Sequence, residues 1–168
     1  PRWAKDPAIG AKMINARAET LATAASYRAP WRRGQRCLLP AAGFYEWHVA
    51  EDGGKTPWFI QATDQTVFGF AGLWDRSVRT DGSEVLSCTI VTLPANPLLA
   101  RIHNIKQRMP AILERDERDA WLGGDAALAQ RALRPYPEER LRAWPVSRQV
   151  NSPRNDGAEL IAPLDAAE

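Results

Sequence analysis

The alternation of apolar and polar residues between positions 36 and 92 predicts a run of short strands. Segments rich in apolar residues are separated there by polar or glycine-containing stretches that are typical of turns. The predicted strands are Arg36–Leu39, Phe44–Val49, Pro57–Ala62, Thr66–Trp74 and Val85–Thr92. Because successive short strands usually pair with their neighbours, we expect an antiparallel meander.

The segments outside this run predict mainly short helices. Glu19–Arg28 is rich in alanine and leucine, and we expect a helix there that ends before Pro30. Further helices are predicted at Asn96–Arg101, Glu114–Leu122 and Ala126–Leu133, the last with Asp125 as its N-cap, and further strands at Met109–Leu113 and Leu141–Val146. The predicted class is α+β, with an antiparallel, barrel-like β-sheet core and flanking short helices. Long helices do not alternate with the strands, which argues against a doubly wound parallel sheet.

The composition is that of one globular domain, and we expect residues 1–168 to form it. Hydrophobic residues make up 45% of the chain and charged residues 25%. No stretch approaches the roughly 20 apolar residues that cross a bilayer, and the start of the sequence lacks the apolar run of a signal peptide. We therefore expect a soluble, cytoplasmic protein without a membrane partner.

The net charge of +2 is unevenly distributed along the chain. Residues 1–48 carry eight basic and three acidic side chains, eight minus three or +5, so the remainder is net acidic by three. The basic part also contains the aromatic residues Trp3, Trp31, Phe44, Tyr45 and Trp47. Cations interleaved with aromatic rings suit single-stranded nucleic acid, because they contact phosphates and stack on unpaired bases. The alternative is a solvated basic surface above tryptophans of the core.

Glu46 is the first candidate for chemistry, because it lies inside the aromatic strand GFYEWHV. Burying a carboxylate is unfavourable unless it is paired or neutral, so burial would raise its pKa and make it useful as an acid or base. Alternation along the strand places Tyr45 and Trp47 on the face opposite to Glu46. The alternative is therefore an ordinary glutamate on the solvent-facing side of the strand.

His103 and Asn15 are the other polar candidates. His103 lies in RIHNIKQRMPAIL, where the nearby cations favour a neutral imidazole that can accept a proton. Asn15, in MINARAET, has an amide that could orient a reactive group through both its donor and its acceptor. A polar surface histidine and a helix-capping asparagine are the alternatives. The sequence contains no P-loop, dinucleotide-binding fingerprint or G-x-S-x-G motif, which excludes the enzyme classes that those motifs mark.

The two cysteines, Cys37 and Cys88, both lie in apolar stretches, and we expect buried thiols rather than a disulfide. A zinc site that combines them with His48 and His103 would lack any closely spaced ligand pair, so we expect no metal and no cofactor. A thiol hydrolase in which Cys37 is the nucleophile and acts with His103 and Glu46 is an alternative function. The apolar surroundings of Cys37 argue against it, because they raise a thiol pKa.

Several segments, taken together and in order, resemble the SOS-response-associated peptidase family. They are INARAET (Ile14–Thr20), RCLLPAAGFYEW (Arg36–Trp47), the IVT of Ile90–Thr92, IHN followed by RMPAIL, and WPVS with the later N-x-x-x-N-D-G-A-E-L-I. The resemblance extends from about Trp3 to Pro163. It implies a DNA-repair protein that captures abasic sites in single-stranded DNA.

The resemblance also implies a chemistry. In the family, a cysteine at the amino terminus reacts with the aldehyde of an open abasic site, and its amine and thiol close a thiazolidine ring. Asn15 would hold that amino terminus, and Glu46 would act as acid and base in the crosslinking and in the self-cleavage that exposes the cysteine. His103 would assist sugar-ring opening and proton transfer. The three residues would then converge at the floor of one cationic groove.

Five residues are implied to bind DNA, namely Trp3, Arg17, Trp47, Thr92 and Arg108. Arg17 would bind a phosphate, and Trp3 and Trp47 would line the DNA path. The match of Arg108 is affected by Ile105–Gln107, which separate the histidine turn from Arg-Met-Pro. The implied partner is single-stranded DNA with abasic sites, bound by a protein that is a monomer when intact and associates with the bacterial nucleoid.

The chain departs from the family pattern at its start, because Pro1 stands where the sequence begins and the leading cysteine is absent from the 168 residues. We expect a single domain that lacks the amino-terminal segment and does not crosslink by itself. The intact protein would be an autopeptidase with a crosslinking, lyase-like activity. The alternative is a module that binds single-stranded DNA without forming a covalent bond.

Overall fold

The structure of the protein is a computed structural model, and it describes residues 7–79 and 81–164. The contacts between residues divide the chain into two compact units, each built from three separate stretches. Among the described residues, the first unit comprises residues 7–40, 68–93 and 110–136. The second comprises residues 41–67, 94–109 and 137–164.

Nine strands and four short α-helices form within the described residues. The strands are β1 (Asn15–Arg17), β2 (Arg36–Ala41), β3 (Phe44–Val49), β4 (Lys55–Ala62), β5 (Phe68–Val78), β6 (Glu84–Pro94), β7 (Arg108–Pro110), β8 (Ile112–Leu113) and β9 (Leu141–Pro145). The helices are α1 (Arg28–Arg32), α2 (Pro97–Ile102), α3 (Glu117–Gly123) and α4 (Ala126–Arg131). Short 3-10 helices cover Pro7–Lys12, Ala18–Thr20, Glu138–Arg140, Arg148–Asn151 and Ala158–Ile161. No helix of this part of the chain has the length and apolar character needed to cross a membrane.

The sheet of the first unit has the strand order β1-β6-β5-β2, with β8 paired to β5. β5 and β6 form an antiparallel hairpin, whereas β1 joins β6 in parallel. Gly72 on β5 is required by close packing, because a Cβ there would lie 2.2 Å from the Leu39 side chain and 3.0 Å from the carbonyl oxygen of Thr89. The core is formed by side chains that are almost fully buried, including Leu21, Phe68, Leu73, Val91, Leu113 and Trp121.

The second unit contains a three-stranded antiparallel sheet with the order β3-β4-β9, so β3 lies at an edge of this sheet. Phe59 at the centre of β4 packs its ring against Tyr45 and Trp144, with centroids 5.2 and 5.3 Å away. Gly43 lets the chain enter β3 close to β4, because a Cβ would lie 2.1 Å from the Phe59 ring and 2.8 Å from the Ile60 carbonyl oxygen. Packing around Phe59 thus fixes β3 on its neighbour.

The predicted α+β class with a largely antiparallel β core and short helices is confirmed. The Asp125 N-cap is also confirmed, since its carboxylate accepts a hydrogen bond of 2.8 Å from the Leu128 amide. The predicted helix over Glu19–Arg28 is wrong. A 3-10 turn occupies part of that range, and α1 begins at Arg28 and contains Pro30. Proline is tolerated there because the amides of a first helical turn have no intrahelical partner.

The predicted meander is also wrong, because the strands divide between two sheets. The hairpins β3–β4 and β5–β6 form as expected, but β2 pairs in one sheet and β3 in the other. A short apolar segment indicates that a strand forms. The strand with which it pairs depends on tertiary packing, which the segment alone does not determine.

Candidate active site

Glu46 and His103 are in contact within the second unit. Glu46 lies in the middle of β3, and His103 directly follows α2, which packs against that strand. His103 Nδ1 is 3.3 Å from Glu46 Oε2, and the two side chains are 21% and 20% exposed. The start of α2 is fixed by Asn96, whose side chain accepts a hydrogen bond of 2.9 Å from the Leu99 amide. The capped helix therefore places His103 next to the strand that contains Glu46.

The neighbours of His103 determine which ring nitrogen carries the proton. Nδ1 also lies 3.0 Å from the carbonyl oxygen of Arg108. A carbonyl oxygen can only accept, so Nδ1 carries a hydrogen and donates it. In a neutral ring, Nε2 then has a lone pair and can accept a proton. The contact with Glu46 and Arg108 therefore assigns Nε2 as the basic atom of the site.

The pKa of Glu46 is raised above its ordinary value, chiefly because the carboxyl group is buried. The charge of His103, a hydrogen bond from the backbone amide of Trp47 and the charge of Lys106 act in the opposite direction without cancelling the effect of burial. A carboxyl group that keeps its proton to a higher pH can serve as a general acid and, after ionisation, as a general base.

An open cleft with a volume of about 600 Å³ gives solvent access to this pair. The lining side chains that matter for chemistry and binding are Glu46, His103, Trp47, Asn151, Lys55 and Lys106. Two ammonium groups and an aromatic ring beside an acid–base pair suit an anionic ligand that also carries flat, unpaired bases.

Asn151 holds the ring of Trp47 in place. The indole Nε1–H donates to Asn151 Oδ1 at 2.8 Å. Asn151 is the last residue of a 3-10 helix whose N-cap, Ser147, accepts a hydrogen bond of 3.2 Å from the Gln149 amide. Because the polar edge of the indole is satisfied, its apolar face can stack on a base without disturbing that bond.

Three predicted site residues lie in the first unit. Asn15 and Arg17 are exposed on β1, on either side of buried Ala16, and Arg17 is in register with Thr92 on β6. The hydroxyl of Thr92 donates to the Ala16 carbonyl oxygen at 3.3 Å. The structure thus makes Arg17 and Thr92 neighbours, while the convergence of Asn15 with Glu46 and His103 stays a prediction.

The remaining predicted DNA-binding residues are Trp3 and Arg108. Trp3 lies outside the described residues. Arg108 is half-buried at the start of β7, and its carbonyl oxygen accepts from His103. The backbone of Arg108 therefore belongs to the site, whereas DNA contact by its side chain stays a prediction.

Cys37 and Cys88 are both free thiols. Burial, with a smaller effect of Cys88, raises the pKa of Cys37 to about 11. A thiol with such a pKa is almost entirely protonated near neutral pH, which disfavours Cys37 as a nucleophile. Cys88 is exposed rather than buried, contrary to expectation. In the part of the chain that the structure describes, no group of three or more His, Cys, Asp or Glu side chains is arranged to hold a metal ion.

Sequence reasoning gave no role to Lys55, Asn104 or Asn151. Asn104 and Asn151 lie inside IHN and N-x-x-x-N, two of the segments that resemble the family. The resemblance draws attention to these two positions but does not indicate what their side chains contact. Lys55 carries no such signal. Its place at the cleft follows from the β3–β4 register, in which it pairs with Val49.

Comparison with known proteins gives consistent matches. The family model of SOS response associated peptidase (SRAP) matches residues 1–153. Abasic site processing protein YoqW of Bacillus subtilis (strain 168) is 42% identical over 164 residues, which cover 96% of this chain and 71% of the relative. Abasic site processing protein HMCES of Gallus gallus is 34% identical over 189 residues, covering 98% of this chain and 55% of the relative.

Solved structures are also similar. A crystal structure of a protein from Bacteroides thetaiotaomicron aligns with a TM-score of 0.88 at 30% identity, over 98% of this chain and 73% of that one. A protein from Bordetella bronchiseptica aligns with a TM-score of 0.74 at 34% identity, over 79% and 64% of the two chains. On the family match and these identities, this chain belongs to the SOS response associated peptidase (SRAP) family, in which the relatives named above are abasic site processing proteins.

Proposed function

We propose that residues 1–168 act as one SRAP domain that binds single-stranded DNA and processes abasic sites through Glu46 and His103. The observation that supports this most strongly is the 3.3 Å contact between Glu46 and His103 beside an open cleft. The cleft combines ammonium groups with an aromatic ring, which suits a strand of unpaired bases. The names of the relatives indicate abasic DNA as the substrate.

The acid–base pair would open the sugar of the abasic site. An abasic deoxyribose is mainly a closed hemiacetal, and its aldehyde appears only when the ring opens. His103 Nε2 removes the proton of the hemiacetal hydroxyl, while protonated Glu46 gives a proton to the departing ring oxygen. The raised pKa of Glu46 suits the second role, because the carboxyl group must still hold its proton when the substrate binds.

Closure of a thiazolidine needs a free amine and a thiol on the same cysteine, whereas Cys37 and Cys88 are internal residues whose nitrogens are in peptide bonds. In a chain that carries an amino-terminal cysteine ahead of Pro1, the terminal amine adds to the aldehyde and the adduct loses water to give an imine. The thiol then adds to the imine carbon and closes a thiazolidine. Asn15 would orient the amine, and Glu46 would also serve the self-cleavage that exposes the cysteine.

Each unit has residues that are suited to contact flanking DNA. Arg17 and Thr92, which are neighbours in register, offer a guanidinium and a hydroxyl to one phosphate. Trp47, Lys55 and Lys106 would contact the strand at the cleft. Stacking and charge give affinity without reading sequence, which suits a lesion that can occur anywhere.

Glu46→Gln tests the proposal in a protein that carries the leading cysteine. We expect the single-turnover formation of a denaturation-resistant adduct with abasic single-stranded DNA to slow by about 10²–10⁴-fold, because proton transfer is lost. Binding to the same strand without the lesion, measured by fluorescence anisotropy, should change by less than about twofold. Glu51→Gln is the matched control, since Glu51 lies exposed in the turn after β3. An equal loss of binding and adduct formation would contradict the role of Glu46.

A non-covalent binding module is the second candidate, favoured by the high pKa of Cys37, which leaves it protonated and unreactive. The two functions can be distinguished by incubating the 168-residue chain and a cysteine-extended form with abasic DNA and measuring adduct formation by each. Adduct formation only by the extended form assigns the chemistry to the added cysteine. An adduct with the 168-residue chain that disappears in Cys37→Ser would instead support the thiol mechanism.

A further inference from the structure

The side chain of Asn104 is bound to the backbone of β3. Asn104 Oδ1 accepts from the Val49 amide at 3.1 Å, and Asn104 Nδ2 donates to the Val49 carbonyl oxygen at 2.8 Å. The orientation of the amide follows from these partners, because an N–H needs an acceptor and a carbonyl needs a donor. Only a primary amide of this length provides both groups here, so aspartate could replace at most one of the two bonds.

This contact resembles one step of a β-ladder. Val49 is in register with Lys55 on β4, yet both of its backbone groups bind Asn104 and therefore point away from β4. β3 is an edge strand of the three-stranded sheet, and the backbone groups of an edge strand otherwise require water or another partner. The amide of Asn104 thus continues the sheet by one hydrogen-bonded unit.

The contact ties together the two chain segments that carry the acid–base pair. Asn104 follows His103 directly, and Val49 lies on the same strand as Glu46. The turn after His103 is closed by the Gln107 amide, which donates to the His103 carbonyl oxygen at 2.8 Å, and by the Ala95 amide, which donates to Gln107 O at 2.9 Å. Gln107 has a φ of 48°, a left-handed conformation that is unfavourable for a non-glycine residue and persists when surrounding bonds enforce it.

We propose that Asn104 is a positioning residue that holds His103 against Glu46 by pairing with the backbone of Val49. This inference rests on the proposed function, in which the two side chains act together on an abasic site. Asn104 is not among the described residues that line the cleft, so it would act through His103 rather than on the substrate. It sets the separation across which Glu46 and His103 interact, and a misplacement of about 1 Å can slow a reaction by about 10²-fold.

Asn104→Leu is the principal test, because leucine has nearly the shape of asparagine and makes neither hydrogen bond. In a protein that carries the leading cysteine we expect single-turnover adduct formation to slow by about ten- to hundredfold, with affinity for undamaged single-stranded DNA within about twofold. Asn104→Asp should also be slow, because it lacks the donor for the Val49 carbonyl. Gln61→Ala is the control, since it removes an amide that binds Arg142 on the same sheet.

A second readout follows the carboxyl group directly. His103 lowers the pKa of Glu46, so loosening the contact should raise that pKa further. Site-specific carbon NMR of Glu46 in Asn104→Leu should therefore show titration at a higher pH than in the unsubstituted protein. Lys106 also lowers the pKa of Glu46 and lies on the same turn as His103, so the shift reports on how closely this turn is held against β3.

A third measurement needs no substitution. Hydrogen exchange at the Val49 amide should be slow in the native protein, because Asn104 occupies an otherwise open position on the edge strand. Exchange at the rate of an unprotected amide would overturn the proposal even if Asn104→Leu did not fold. Wild-type rates in Asn104→Leu, or an unchanged Glu46 titration, would overturn it as well. If instead the native protein does not process abasic DNA, the proposed function fails, while Val49 exchange and Glu46 titration still test the position of Asn104.

Discussion

Glu46 in the second unit and Cys37 in the first show how one physical cause has opposite chemical consequences. Burial is the largest influence on both groups, and it raises both pKa values. For the carboxyl group, whose ordinary value is 4.5, the shift is toward neutral pH, where acid–base catalysis becomes possible. For the thiol, the shift from 9.0 to about 11 leads away from neutral pH and removes the reactive thiolate.

The surroundings of the two groups strengthen this difference. Glu46 has His103 at 3.3 Å and an open cleft beside it. Cys37 packs over Gly72, where a Cβ would lie 3.0 Å from its sulfur, and no positive group among the described residues contributes to its pKa shift. A buried titratable group therefore indicates a reactive site only when its shift approaches the working pH and a partner can exchange protons with it.

Among the tests of this comparison, the largest expected difference is the one between the reaction rates of the two thiols. Iodoacetamide at pH 8 should alkylate exposed Cys88 readily and Cys37 at least about a hundredfold more slowly, because Cys37 is almost entirely protonated and half-buried. Mass spectrometry of the modified peptides over time measures both rates in one sample. Equal alkylation rates would mean that burial does not suppress the reactivity of Cys37, which would contradict the comparison with Glu46.

The next largest expected effect is on DNA binding, and it compares a tryptophan of the second unit with one of the first. Trp47→Ala should weaken binding of single-stranded DNA by about five- to hundredfold, because stacking contributes about 1–3 kcal/mol per base. Trp74→Ala is the control, since Trp74 is 38% exposed on β5, in register with Cys88. Anisotropy titrations at one salt concentration compare the two variants, and similar losses would mean that the cleft is not the preferred DNA path.

The smallest effect concerns the charge of Lys106, which lowers the pKa of Glu46. Lys106→Gln removes that influence, so the pKa of Glu46 rises and the pH dependence of adduct formation that follows Glu46 moves to higher pH. The rate at the optimum should change by less than about tenfold, because Lys106 transfers no proton. Lys106→Arg keeps the charge and should leave the profile in place. A shift to lower pH in Lys106→Gln would contradict this assignment.

Local patterns were sufficient to predict much of the second unit. The strand Phe44–Val49 forms with the predicted bounds, because aromatic and β-branched side chains favour a pleated strand that packs on one side. The helix before His103 follows from Pro97 and the capping residue Asn96. Both elements are determined by residues that are close together in the sequence.

Long-range contacts could not be predicted from single segments. The Glu46–His103 contact and the Asn104–Val49 hydrogen bonds join chain segments that only the folded sheet brings together. The Glu19–Arg28 segment has good helix formers, yet it forms turns in which Leu21 is buried, and helix propensity is a weak guide when tertiary context differs. The strands could therefore be predicted from local sequence, whereas the contacts of the site depend on the tertiary arrangement of those strands.

The most direct test of a shared role for Glu46 and His103 is a double-mutant cycle on the single-turnover rate of adduct formation. Glu46→Gln, His103→Gln and the combined variant are compared at saturating abasic DNA in the cysteine-bearing protein. Because the two side chains act as one unit, the double variant should be about as slow as the slower single variant. A double variant whose loss equals the product of the two single losses would mean that they act independently.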